Sequence, residues 1–163
     1  MKIPAKLSVS DMVTSHVVAL ERATSKEIKV DRSFQKLSWH ENIARDAEAA
    51  GAEMAFAKWL GIEGFTPTVD TFKGEADVGS KYEVKWTPWV DGCLILTDRD
   101  REQDIAVLVT GHAPNVYLCG WTPISMARRS RQRRSDGSWW IGQADLHPME
   151  NLRRSSHGEN TSL

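Results

Sequence analysis

The chain has 163 residues, of which 40% are hydrophobic and 26% charged, a length and composition that fit one soluble globular domain with a substantial core. No apolar run approaches the ~20 residues that cross a bilayer, and Met1-Lys2-Ile3-Pro4-Ala5-Lys6 lacks the apolar stretch of an export signal. The net charge of −1 is unevenly spread: between Ala127 and Arg154 seven arginines stand against Asp136, Asp145 and Glu150, a local +4 that leaves −5 elsewhere. A basic segment on a nearly neutral protein suits a surface that tracks phosphates, and it equally suits a solvated helix.

Ser8 or Ser10 can cap a first helix through Asp11, with Val13, Val17 and Leu20 on one face. Thr24 to Leu37 is polar and mixed, an irregular connection with a short element expected at Glu27–Val30. A second helix is predicted from His40 or Glu41 to Leu60. Its apolar stripe is Ile43, Ala47, Ala50, Met54 and Ala57, Gly61 ends it, and Gly51 suits close packing on a sheet. Beyond Gly64 the pattern becomes strand-like, with strands expected at Pro67–Phe72, Glu75–Val78, Tyr82–Thr87, Cys93–Thr97, Ile105–Thr110 and Val116–Trp121. Gly79-Ser80, Asp91-Gly92 and Gly111-His112-Ala113-Pro114-Asn115 read as turns between them. A basic helix over Ser125–Arg134, a short strand over Ser138–Ile141 and a short helix from Asp145 to Leu152 complete the domain, residues 1–152. Residues 153–163 read as a tail.

The stretch with most chemical content is Gly74-Glu75-Ala76-Asp77-Val78-Gly79-Ser80-Lys81-Tyr82-Glu83-Val84-Lys85-Trp86. As a hairpin it places Asp77 opposite Glu83 or one step away. Alternation sends Glu83, Lys85 and Thr87 to one face, and Tyr82, Val84 and Trp86 to the core. Directly opposed residues on antiparallel strands have Cβ atoms ~4.5–5.5 Å apart, so two carboxylates there repel unless a cation lies between them. Magnesium, a hard ion that prefers oxygen ligands, is the natural occupant. Lys85 beside it would orient water or stabilise charge at phosphorus. Glu-x-Lys alone is weak: Glu27-Ile28-Lys29 is a second copy with no Asp on a partnered strand. A cross-strand ion pair on the surface would also account for Glu83 and Lys85.

Asp77, Glu83-Val84-Lys85 and the Ala-rich helix upstream resemble the PD-(D/E)xK, or restriction-endonuclease-like, nuclease superfamily, over roughly Glu41 to Trp121, and are most similar to its small phage-type members. The resemblance implies an α/β fold, a mixed β-sheet flanked by helices with a restriction-endonuclease-like core, in the cytoplasm of a bacterial or phage-infected cell. It implies a nuclease that uses Mg2+ (or Mn2+) to hydrolyse phosphodiester bonds, with DNA as the expected partner. By position, Asp77 and Glu83 would be metal ligands, the main-chain carbonyl of Val84 a further ligand, and Lys85 the catalytic lysine. Glu53, in Ala50-Gly51-Ala52-Glu53-Met54-Ala55, matches the acidic residue many members carry on the preceding helix; it also reads as an ordinary solvated glutamate. Ala76 replaces the eponymous proline, which does no chemistry. Trp86-Thr87-Pro88-Trp89 is followed by strands where the usual core has a helix.

Arg128, Arg129, Arg131, Arg133 and Arg134 are dense enough to contact phosphates. Of Trp139 and Trp140, strand spacing sends one ring to the core; the other could stack on a base. Trp86 and Trp89 flank the hairpin. Cys93 and Cys119 read as reduced core thiols without zinc spacing, and His112 and His147 fall in loop-like contexts. Asp98, Asp100 and Asp104 read as a solvated turn. The competing functional readings are a non-catalytic nucleic-acid-binding or assembly module that retains the fold, and a small virion or regulatory protein with a surface ion pair. A membrane partner is not expected; a homo-oligomer is compatible with the sequence.

Overall fold

The computed structural model describes residues 1–25, 36–69, 74–129 and 131–155. It opens with a strand that the sequence pattern did not mark, β1 (Ile3–Lys6). Helix α1 (Val9–Ser25) follows, capped reciprocally: Asp11 N–H donates to Ser8 Oγ at 3.1 Å and Ser8 N–H to Asp11 Oδ2 at 2.8 Å. The apolar residues Val13, Val17 and Leu20 do share a face, but it is the exposed one, at 58%, 47% and 45% exposure. The inward face is Asp11, Ser15, Val18, Ala19 and Arg22. Close helix packing selects the small side chains: Ala19 and Ala23 meet Ile43 and Ala47 of the next helix.

That helix, α2 (Trp39–Leu60), has the expected extent and a capping box between Ser38 and Glu41, with left-handed Gly61 closing it at φ 83°. Its predicted stripe is buried, and from Ala50 to Ala57 every residue is buried, because α2 lies between α1 and the sheet. Gly51 permits the approach: a Cβ there would stand 3.0 Å from Leu7 Cδ1.

The main sheet has the order β1-β5-β4-β2, with β2 (Tyr82–Thr87) and β4 (Ile105–His112) parallel and β5 (Asn115–Pro123) antiparallel to both β4 and β1. A second, two-stranded sheet joins β3 (Leu94–Leu96) and β6 (Trp139–Ile141). Alternation along β4 sends Val107 and Val109 into one core with Phe56, Tyr82, Leu118 and Met149, and Ala106 and Leu108 into another with Leu94, Leu96, Trp139 and Ile141. The protein is therefore mixed α/β: helices cover one face of the main sheet and the small sheet covers the other. Cys119 is the extra residue of a bulge opposite Leu108/Val109. It is buried and its thiol is pushed up by burial, as a core thiol should be; Cys93 is half-buried, and both are unpaired.

Several expectations are corrected. Glu75–Val78 is not a strand: only Val78 bridges Tyr82. Pro67–Val69 is irregular and the rest of that expected strand lies outside the described residues, as does the element at Glu27–Val30. The basic helix is reduced to α3 (Ile124–Ala127). Arg133 instead bridges Trp139 and Arg134 N–H donates to Ser138 O at 2.7 Å, an arm folded back on β6 through left-handed Gly137, φ 85°. Clustered arginines repel at helical spacing, whereas this arm spreads their guanidinium groups over tryptophan faces. The helix expected from Asp145 to Leu152 is split into a 3-10 turn (Gln143–Asp145) and α4 (Met149–Leu152). Between them His147 pairs with Trp121 through both backbone hydrogen bonds, at 2.9 and 3.0 Å. This pairing requires Gly120, since a Cβ there would sit 2.8 Å from His147 O. His112 closes β4 instead of lying in a loop, and its Nδ1 meets Glu48 Oε1 at 3.0 Å.

Candidate functional site

The edge strand β2 carries the site. Val78 and Tyr82 exchange both backbone hydrogen bonds, so the register continues with Asp77 facing Glu83, although no further bridge forms. Asp77 Oδ2 accepts the Val84 N–H at 2.8 Å, which pins its carboxylate to the open edge. In an extended strand the N–H and C=O of one residue point the same way, so the Val84 carbonyl faces that edge too. Glu83 is buried; Lys85 Nζ donates to Glu83 Oε1 at 2.7 Å and to Asp100 Oδ1 at 2.6 Å. The ion pair is not a surface decoration, since the Glu83 and Asp100 side chains are 7% and 0% exposed.

Glu53 approaches from α2. It is buried, not solvated, and is met by Arg22 of α1, whose Nη2 lies 3.3 and 3.4 Å from its two oxygens while Nε donates to Thr68 O at 2.9 Å. Burial first, and the neighbouring charge of Asp77 second, push the Glu53 carboxyl up to about 8 despite the opposing pull of Arg22; Glu83 adds to the rise. Glu53, Asp77 and Glu83 therefore share one electrostatic environment, and Glu83 is in turn paired with Lys85.

Four residues of this neighbourhood, Asp100, Asp104, Arg101 and Arg22, escaped the sequence pattern. Asp100, expected in a solvated turn with Asp98 and Asp104, is buried, and so is Asp104, which is gripped by Arg101 at 2.7 and 2.8 Å. Arg101 also donates to the carbonyls of Gly74 and Ser80, at 2.8 and 3.2 Å, tying the Asp77 turn to the loop of Asp100. Arg22 lies on the face opposite the apolar spacing of Val13, Val17 and Leu20, and the inward polar series Asp11, Ser15, Arg22 is its signal in the sequence. Asp100 had none, since its partner lies 15 residues away.

The basic segment divides in two. Arg128 turns inward: Nη2 donates to Thr97 O at 2.7 Å and to Asp100 O, and its guanidinium lies 5.5 Å from the Trp139 ring centre. Arg129, Arg131, Arg133 and Arg134 are exposed. Arg133 lies over buried Trp139 at 5.3 Å and Arg134 over half-buried Trp140 at 3.8 Å. Trp86 donates Nε1–H to Gly111 O at 2.9 Å, whereas Trp89 is exposed.

Among the described residues, no three Asp, Glu, His or Cys side chains gather into a cage for a metal ion. Magnesium does not need one, since it keeps several waters and commonly binds through one or two carboxylates. The donor chemistry on the β2 edge, Asp77 and Glu83 with the Val84 carbonyl, is of that hard-oxygen kind, and the charges of Asp77 and Glu83 add to the rise that burial causes in the Glu53 carboxyl. Comparison of the chain with protein-family models, with curated proteins and with solved structures gave no match in any of the three. No helix among the described residues is long and apolar enough to cross a membrane.

Proposed function

We propose that this protein is a metal-dependent nuclease hydrolysing phosphodiester bonds of nucleic acid, with DNA as the expected substrate. The reading is carried by one observation: Lys85 is held 2.7 Å from Glu83 on an edge strand that also pins Asp77 through the Val84 N–H. Asp77, Glu83 and the Val84 carbonyl would hold Mg2+ or Mn2+, which supplies water activation and charge neutralisation at phosphorus when bound. Lys85 keeps an ammonium beside the reacting phosphate, where it orients the attacking water and offsets developing charge. Glu53, sharing the field of Asp77, positions water from the helix side. Arg129, Arg131, Arg133 and Arg134 offer exposed guanidinium groups to the backbone phosphates; Arg128 is committed inward and is removed from that set. The restriction-endonuclease-like resemblance supports the same assignment through Asp77, Glu83 and Lys85.

A second reading, a non-catalytic nucleic-acid-binding or assembly module, is favoured by the internal pairing of Lys85 with two carboxylates and of Glu53 with Arg22. It predicts DNA binding without cleavage in every divalent metal. Plasmid and oligonucleotide cleavage in Mg2+ and Mn2+ separates the two. Asp77→Ala and Lys85→Ala should each lower the cleavage rate by about 10³-fold with an unchanged circular dichroism spectrum. Activity that survives both substitutions sinks the nuclease assignment.

A further inference from the structure

We infer that Asp100 is the positioning residue of Lys85, and that Arg128 is the clamp that holds Asp100 in place; the catalytic meaning of this pair rests on the nuclease reading above. An ammonium on a four-carbon stem is flexible and donates three hydrogen bonds, so one carboxylate on its own strand does not fix it. Glu83 is two residues away on β2 and supplies one contact at 2.7 Å. The second, at 2.6 Å, comes from Asp100 in the crossover between β3 and β4. Nζ is thus fixed by acceptors from two separate segments of the fold.

Asp100 is itself rigid. Its other carboxylate oxygen accepts the Thr97 N–H at 2.6 Å and lies 3.3 Å from Thr97 Oγ1, and its own N–H donates to Thr97 O at 3.2 Å. Arg128 closes the turn from outside, donating from one Nη2 to the carbonyls of Thr97 and Asp100. An arginine placed by sequence among phosphate contacts therefore acts on the lysine at one remove, through the turn. The same crossover loop fixes Asp77 as well, because Arg101 spans from Asp104 to the carbonyls of Gly74 and Ser80. One loop thus holds both the lysine, through Asp100, and the turn that carries Asp77, through Arg101.

The experiment uses the full chain. In Asp100→Asn the amide oxygen can still cap the Thr97 turn, but the charge facing Lys85 is gone. The wild-type ammonium of Lys85, shielded by two acceptors, should give a resolved proton–nitrogen NMR signal, identified by its absence in Lys85→Ala; Asp100→Asn should broaden it beyond detection. Cleavage should lose about 10- to 100-fold in kcat, as the outer partners of a site commonly do, with KM for DNA unchanged. Arg128→Gln should change kcat in the same direction by less, again with KM unchanged, and it keeps the test open if Asp100→Asn does not fold. A Lys85 signal that persists in Asp100→Asn overturns the inference. So does an Arg128→Gln variant that raises KM at constant kcat, the result for a simple phosphate contact. A wild-type chain that cleaves nothing sinks the nuclease reading alone, since the ammonium signal still decides whether Asp100 positions Lys85.

Discussion

The acidic centre around β2 and the basic arm before β6 are both rich in charge, yet they are stabilised in opposite ways. In the centre, Arg22 pairs with Glu53 across 31 residues of sequence and Lys85 with Asp100 across 15, with three of these four groups almost wholly out of water. In the arm, Arg131, Arg133 and Arg134 stay in solvent, and two of them lie on tryptophan rings within seven residues of sequence. A buried charge needs a partner wherever the fold can supply one, whereas an exposed charge needs none and takes what is adjacent. Tertiary structure is thus decisive for the centre and nearly irrelevant to the arm.

The sharpest way to break this contrast is Arg22→Ala. Removing one member of a buried pair strands the other, so at pH 9, where Glu53 is ionised, stability in urea should fall by about 3–5 kcal/mol. At pH 6 Glu53 holds its proton and the loss should be smaller; equal stability of variant and wild type at pH 9 would remove the pair as a determinant of the fold.

A second prediction follows the proton on Glu53. Its folded value of about 8 exceeds the ordinary 4.5, so between those limits the native state binds the proton and the unfolded state does not. The metal-free protein should therefore lose stability as pH rises through that window, by at most about 1.4 kcal/mol per pH unit from this group. Glu53→Gln should flatten the slope in urea titrations run from pH 5 to 8. A wild-type stability that rises with pH, and a Gln variant with the same slope, would contradict the burial assigned to Glu53.

The arm should yield smaller effects on stability. Arg134→Ala removes the guanidinium stacked on Trp140 and should lower stability by about 0.5–1 kcal/mol, visible as a small shift of the thermal midpoint. Smallest of all, Arg131→Ala should leave stability within about 0.5 kcal/mol. Its effect should instead be on DNA binding, where the slope of log affinity against log salt should fall by about 0.9. A loss of stability for Arg131→Ala comparable to that of Arg22→Ala would erase the distinction between the two regions.

The elements with strong local periodicity were legible in sequence. α2, with Ser38 and Glu41 at one end and Gly61 at the other, is complete in its own residues, and β2 to β6 were placed to within two or three residues because apolar runs alternate with turn residues. β1 was missed because Ile3-Pro4-Ala5-Lys6 is too short and mixed to show alternation, and it exists because β5 offers it an edge. The apolar stripe of α1 is visible in sequence, but its buried face is set by the small side chains that packing on α2 requires, which sequence does not show. Within the candidate site, Asp77, Glu83 and Lys85 could be named together because they lie within nine residues on one turn; Glu53 required a resemblance.

Sequence by itself therefore determined the local chemistry: which segments are helical or extended, and that an acid, an acid and a lysine share one turn and strand. Only tertiary structure decided that Glu53 is buried against Arg22, that Asp100 closes on Lys85 and that Arg128 faces inward. The last two depend on the parallel pairing of β2 with β4, which forces the intervening chain to cross over the sheet and bring its loop onto Lys85, and the first on the packing of α1 against α2. Local propensity acts over a few residues, whereas the desolvation that makes a charge seek its partner exists only once the layers have closed.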